Sequence, residues 1–521
     1  MFASSFVGPF LPEIVLLAAT LVVFLLDVVG VRRLEISGTI GVLGLGIAFL
    51  LVLADLQFSP FAALATVPAG QIDLAHPTGL YAFTSLGLIF QLIFLTAAFL
   101  VGLASMSRPS GERGAAIFYG LLTLATLGML LVAIANDLIF LLLSIELVSI
   151  ATYLLVAYTR SNARSMEAAM KFYIVGALST TLSFFGASLL FGAYGTTNLA
   201  AIEGLGSAGL PTLVLLGYGF LIAGLAFKAT LVPFHAWAVD VYDGAPDDVS
   251  AFLAGGSKKI GLFAFFLVFL GPILALKASG ASILPFGSGP FNVGPVLQIA
   301  LGAIAVLTMT VGNVLALLQK EMKRMLAYSS ISQAGYMLIG VSVGTAPAVA
   351  GATLQIFAHV LMKGGAFLVV AAVVGLGVGP LISDWKGLGL KRPFLGVAFS
   401  LMLLSLAGVP LTIGFWSKFV LFSSAVEAQG YFVWLAVAGL LNSALSVFYY
   451  ARVLKVMFFD GPAEPSTAPA PNAALPLGGI GYGRAAAIGL AAALIVAVGV
   501  YPQPVLGAIQ AAAQHFVAAG A

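Results

Sequence analysis

The chain has 521 residues, of which 61% are hydrophobic and 8% charged, with a formal net charge of +3. A soluble domain carries about 25% charged residues, so water is excluded as the main solvent of this chain. The absence of cysteine excludes iron–sulfur clusters and disulfides, and basic residues scattered through loops exclude a nucleic-acid patch.

The apolar residues run in continuous stretches, each long enough to cross a bilayer as a helix of about 20 residues. They lack the in-out alternation of a membrane barrel. The predicted fold is therefore an all-α integral membrane protein of about fourteen transmembrane helices. The spans begin near Leu11, Gly38, Leu80, Ala115, Asp137, Glu167, Leu213, Ser250, Val293, Lys323, Ala346, Phe394, Tyr431 and Ala485. The first, Leu11 to Val29, has neither a basic segment before it nor a small-residue cleavage site after it, and reads as a retained span. The Pro- and Ala-rich stretch from Gly461 to Pro476 reads as a linker before the last span.

Loop charges test this order. Alternate loops carry Arg32 and Arg33, Arg108 and Arg113, Arg160 and Arg164, then Lys320, Lys323 and Arg324, then Lys386, Lys391 and Arg392, and finally Arg452, Lys455 and Arg484. The intervening loops hold only Lys277. By the positive-inside rule this alternation puts both termini outside.

Charges within the spans are the candidate functional residues. Lys171, Lys228, Lys258, Lys259, Lys363 and Lys418 remain inside apolar runs, with Glu146 near the middle of the fifth. A charge at a helix centre costs about 2.5–3.5 kcal/mol on insertion scales, so such residues are expected to line a shared polar interior. Lys171 lies a few residues inside its span, where snorkelling to the interface competes with a buried role. Of the adjacent Lys258 and Lys259, which point in different directions, Lys259 is the one expected to function and Lys258 the one that can be interfacial. Burial penalises a charged lysine while a neighbouring carboxylate favours it. Glu146 facing Lys228 would thus switch that lysine between holding and releasing a proton, and a row of such groups would form a proton wire.

Helix breaks coincide with two of these lysines. Pro233 in LAFKATLVPFHAW follows Lys228 by five residues, and Pro410 in LAGVPLTIGFWSKF precedes Lys418 by eight. They fall in the seventh and twelfth spans, the offset expected of two five-helix units repeated with opposite topology. His359 precedes Lys363 by four residues and shares its helical face, where its ordinary pKa suits proton relay. His235 beside the seventh-span break reads rather as a packed histidine, and His76 and His515 suggest no chemistry. No phosphate-binding loop, dinucleotide fingerprint, metal-ligand cluster or nucleophile triad is legible.

The stretches EAAMKFYIVGAL and FGAYGTTNL, LAFKATLVPFHAWAVDVYDGAP, KEMKRMLAYSSISQAGYMLIG and GVPLTIGFWSKF resemble the antiporter-like membrane subunits of complex I, a family shared with Mrp-type cation/proton antiporters. The resemblance spans roughly Asp137 to Phe419 and implies two inverted five-helix repeats with broken seventh and twelfth helices. It implies a division into 1–114 (helices 1–3), 115–276 and 277–460 (the repeats) and 461–521 (linker and last helix). By similarity Glu146, Lys228, Lys259 and Lys418 match the family's ionisable residues of the fifth, seventh, eighth and twelfth helices, and Lys171 a sixth-helix lysine. Within the family the GTTNL and DVYDGAP wording and the short C-terminal segment look like the N type. The His359 and Lys363 pair departs toward the L, M and Mrp-type pattern. The implied function is proton translocation as part of an NADH-quinone oxidoreductase, or of a related Mrp-type, deazaflavin- or ferredoxin-driven complex; the Ala- and Gly-rich composition and the lack of a legible targeting segment favour a bacterial plasma membrane. No cofactor is expected in this chain; quinone, FMN and iron–sulfur clusters are expected in partner subunits, and the L, M, K, J, A and H types are the expected neighbours.

Overall fold

A computed structural model describes residues 8–30, 33–57, 67, 72–73, 79–107, 114–204, 211–278, 293–461 and 479–519, with the backbone alone for 203, 204, 211 and 276–278. Arg32, Arg108, Arg113, His76, the linker from 462 onward and the side chain of Lys277 lie outside the described residues.

The described chain is all helical, with isolated bridges in place of strands. The helices run α1 (Leu11–Val28), α2 (Leu34–Asp55), α3 (Ser85–Ser105), α4 (Ala115–Ala133), α5 (Leu138–Val156), α6 (Ala163–Tyr194), α7 (Leu199–Gly204), α8 (Pro211–Ala229) and α9 (Ala236–Gly244). Next, α10 (Asp247–Phe252) passes through a π turn, Leu253–Ser257, into α11 (Lys258–Ala278). Then follow α12 (Val293–Leu318), α13 (Met322–Val343) and α14 (Ala346–His359), the last continuing through a second π turn, Val360–Gly364, into α15 (Gly365–Gly375). The chain ends with α16 (Leu388–Lys391), α17 (Pro393–Ala407), α18 (Ile413–Glu427), α19 (Phe432–Phe458), α20 (Tyr482–Val500) and α21 (Gln503–Ala519).

Among the described residues twelve helices are long and apolar enough to cross a membrane, or thirteen if the bent pair Ile382–Lys391 and Pro393–Ala407 is one span. The other two expected spans are helical but differ in kind. The tenth is α13, whose Ser329, Ser330, Ser332 and Gln333 make its middle polar; the twelfth is split into α17 and α18. The amphipathic α21 was not anticipated as a separate helix; Pro502 and Pro504 mark its start, and it packs against α14 and α3.

α13 runs through the middle of the molecule, with every residue from Ser329 to Val343 buried. It can do so because small residues let neighbouring backbones approach closely. A Cβ on Gly312 of α12 would stand 2.5 Å from the Ser332 nitrogen. One on Gly335 would stand 2.7 Å from the Ala305 carbonyl. The two π turns meet each other at the same depth: a Cβ on Gly255 would stand 3.4 Å from the Gly364 Cα.

The seventh span breaks after α8. Thr230 adopts a positive φ of 58°, Leu231 N–H donates to the Ala226 carbonyl, and the freed Val232 N–H is taken up by Thr308 Oγ1 at 3.0 Å. Backbone groups released at membrane depth need such partners.

Candidate proton-translocation site

The first cluster lies between α5, α6 and α8. Lys228, in the last turn of α8, is 4% exposed and donates from Nζ to Ser149 Oγ at 3.0 Å, with the Phe172 ring beneath it at 5.8 Å. Glu146, one turn before Ser149 on α5, accepts a short hydrogen bond from the Thr180 hydroxyl. Glu146 and Lys228 line one small cavity with Ser149, Tyr153 and Thr180. Its space for a water-sized sphere is about 20 Å³, enough for one water between carboxylate and ammonium.

The second cluster sits at the crossing of the π turns. A π turn inserts one residue into a helix and is common at functional sites. Here one precedes Lys258 and Lys259 directly and the other contains Lys363. Lys258 points to α13, donating to the Ser330 carbonyl at 2.6 Å, while Lys259 Nζ meets His359 Nδ1 at 2.8 Å. Lys363 donates to Ser329 Oγ at 2.8 Å, and that hydroxyl shares a short hydrogen bond with the Tyr450 phenol. Both Lys258 and Lys259 are buried, so neither is interfacial, and the pair separates by direction as adjacent helical residues must. Four protonatable groups, Lys258, Lys259, His359 and Lys363, thus crowd a region of low dielectric. Like charges there repel strongly. In the Lys259–His359 contact either nitrogen can be the donor, which is the geometry of a proton-transfer pair.

The third cluster is Lys418 on α18. It is 5% exposed and reaches back across the break to the end of α17, donating to the Leu406 carbonyl at 2.7 Å, the Ala407 carbonyl at 3.1 Å and Ser443 Oγ at 2.9 Å. The last carbonyls of a helix carry partial negative charge, so the half-helix end itself holds the ammonium. A largely apolar groove of about 510 Å³ between α18 and α19, with Phe419, Ser423, Glu427 and Leu440 in its lining, borders Lys418.

Lys171 is not brought to this interior. It lies 46% exposed on α6, paired with Glu167 at 2.8 Å and Asp240 at 3.0 Å, and Asp240 also meets Arg324 at 3.2 Å. His235 stands half-buried at the start of α9. Sequence reasoning missed the neutral groups that connect the lysines, among them Ser149, Ser329, Ser330, Gln333, Gln355 and Tyr450. The run SSISQ in the middle of an otherwise apolar span was the available signal. It also missed Glu13, 5% exposed on α1, which accepts from Gln91 at 2.7 Å.

Residues 135–446 match the family described as NADH:quinone oxidoreductase/Mrp antiporter, transmembrane. The chain is 38% identical over 509 residues to the F(420)H(2) dehydrogenase subunit N of Methanosarcina mazei, covering 95% of both. It is 36% identical over 468 residues to the NADH-quinone oxidoreductase subunit N of Rhodospirillum rubrum, covering 89% of this chain and 90% of that one. Among solved structures a chain of respiratory complex I from Thermus thermophilus superposes with a TM-score of 0.75 at 30% identity, over 95% of this chain and 99% of the other.

Proposed function

Since the chain belongs to the NADH:quinone oxidoreductase/Mrp antiporter transmembrane family, we propose that it is a proton-translocating membrane-arm subunit of a respiratory complex of the complex I type. It works there as part of a quinone-reducing translocase whose redox centres sit in other subunits. The observation that carries this reading is the Lys259–His359 contact at 2.8 Å, in an interior that also buries Lys228, Lys363 and Lys418. Buried charges at that density are retained in a membrane only where a pathway uses them.

Residues 115–276 and 277–460 act as two inverted repeats around this row, joined to helices 1–3 and to a C-terminal segment, in a bacterial plasma membrane with both termini outside. Partners of the L, M, K, J, A and H types flank the chain. A charge rearrangement at the quinone site reaches Glu146, which changes the hold on the Lys228 proton across their shared cavity. Lys259 passes a proton laterally with His359, and Lys418 releases one toward the outer face. Lys171, outside the buried row, is held at the surface by Glu167 and Asp240.

Substituting Lys228 or Lys418 by Ala is expected to lower the proton-to-electron ratio of the reconstituted complex while subunit composition stays intact; an unchanged ratio in both variants rejects the scheme. The relative named F(420)H(2) dehydrogenase subunit N favours one alternative, a deazaflavin-driven complex with the same membrane chemistry. Identifying the subunits that co-purify in mild detergent, and assaying NADH and deazaflavin as donors, separates the two. A redox-inactive assembly of antiporter proteins would instead indicate the Mrp-type reading.

A further inference from the structure

Glu146, Ser149 and Tyr153 recur along α5 at helical spacing, share one face and all line the cavity that holds Lys228. Glu146 is the carboxylate of that cavity, and Ser149 accepts from Lys228 Nζ at 3.0 Å. Tyr153, 9% exposed, stands one turn beyond Ser149, nearer the loop that follows α5. Its phenol is hydrogen-bonded to Ser149. Ser149 gives its single proton to the Ile145 carbonyl at 2.8 Å, so its oxygen accepts from the ammonium on one side and from the phenol on the other. Lysine and tyrosine thus share one hydroxyl.

Its neighbours hold the Tyr153 ring in this position. It meets Phe172 edge-on at 4.7 Å and Tyr173 at 5.9 Å, and the Phe172 ring also underlies Lys228. On the facing helix α6, Gly176 leaves room for the phenol, since a Cβ there would overlap the Tyr153 oxygen. One turn further along α6 the Thr180 hydroxyl reaches Glu146. Helix α6 therefore offers a hydroxyl to the carboxylate and a gap to the phenol. Packing alone would be served by phenylalanine, without bringing a hydroxyl to this depth. The titratable groups that face the phenol are Glu146 from its own helix, Tyr173 from α6 and Lys228 from α8. Of the other helices packed on α5, α4 offers Tyr119, which donates to the Gly102 carbonyl, and α11 offers Lys258 and Lys259, which turn to α13 and His359.

We propose that Tyr153 is a proton-relay residue for Lys228, acting through Ser149 from the side of the loop that follows α5. When Lys228 is a neutral amine, its nitrogen lone pair can accept. Ser149 turns from Ile145 and gives its proton to that nitrogen, the phenol gives its own to the Ser149 oxygen, and the phenol oxygen takes up a proton arriving from the aqueous side. One proton enters, the lysine becomes charged, and both hydroxyls end as they began. The inference rests on the proton-translocating reading and deepens it, because it names a residue through which Lys228 is reloaded.

The test uses the intact complex in proteoliposomes. Tyr153→Phe keeps the ring on Phe172 and removes the hydroxyl; proton-coupled turnover is expected to fall several-fold with subunit composition unchanged. A difluorotyrosine incorporated at position 153 keeps the hydroxyl and makes it more acidic. It is expected to hold the wild-type rate near neutral pH and to move the alkaline limb of the pH–turnover profile to lower pH, a shift that a tyrosine serving only as packing would not cause. Wild-type turnover and proton-to-electron ratio in Tyr153→Phe overturn the relay. So does a defective Tyr153→Phe combined with a wild-type pH profile in the fluorinated complex, because the phenol would then be structural. The fluorinated complex decides alone if Tyr153→Phe fails to assemble. Wild-type complex that turns over without moving protons overturns the underlying reading instead, which keeps the two failures apart.

Discussion

Two ion pairs in this molecule have opposite expected weights. Arg484, at the start of α20, is 14% exposed and sits 3.3 Å from Asp248, which is 5% exposed at the start of α10. Removing one partner of a buried pair leaves an uncompensated charge and costs about 3–5 kcal/mol. Asp248→Asn is therefore expected to destabilise the purified complex by about 3 kcal/mol in detergent thermal unfolding, with most of the loss recovered in the double variant with Arg484→Met. Asp240, 40% exposed between Lys171 and Arg324, lies where screening leaves a pair about 0.2–1 kcal/mol. Asp240→Asn should cost under about 1 kcal/mol, and less as salt is raised. The same distinction explains what the sequence could reveal at this scale. Lys228, Lys259, Lys363 and Lys418 were legible because a charge inside an apolar run is anomalous wherever it points. The exposure of Lys171 was not, since it depends on which neighbours α6 has. Gln355 escaped because a lone neutral polar residue is ordinary in a membrane helix, and Ser329 and Gln333 because a run of neutral polar residues carries no charge to stand out.

The two broken helices present their lysines differently. Lys228 is in the last turn of its own half-helix, whereas Lys418 follows the break and reaches back to the carbonyl end of the half-helix before it. Lys418 therefore puts its amine where the helix dipole is negative, while Lys228 reaches to Ser149 on α5. Gly408 makes the second arrangement possible. Its φ is +93°, and a Cβ there would stand 3.1 Å from Lys418 Cδ. Gly408→Ala thus combines left-handed strain of about 1–2 kcal/mol with a push on the lysine. The expected outcome is an assembled complex with a lowered proton-to-electron ratio, and unchanged pumping would show that Lys418 does not need its seat on α17. Both breaks were readable from Pro233 and Pro410. The π turns were not, because one inserted residue leaves hydropathy unaltered, and neither was α21, whose apolar residues are interrupted by Gln503, Gln510, Gln514 and His515.

At the scale of the whole molecule, α13 threads a polar middle through a bundle whose outer surface is apolar, as the exposed Ile174, Leu178, Phe185 and Leu440 show. The balance of charge in that middle bears on which ion moves. The interior row consists of Lys228, Lys258, Lys259, His359, Lys363 and Lys418, with Glu146 as the carboxylate beside it. A hard metal cation needs several oxygen ligands drawn together, whereas this row is lined chiefly by basic nitrogens. An ammonium-lined path also repels a second cation, while it can receive and pass a proton as an amine. Replacing all Na⁺ by K⁺ or choline in the reconstituted complex is therefore expected to leave turnover and the proton-to-electron ratio unchanged. A strict Na⁺ requirement that survives in Lys228→Ala would place ion movement outside the lysine row, and one that disappears with Lys228 would mean that Glu146 and its cavity bind the cation themselves.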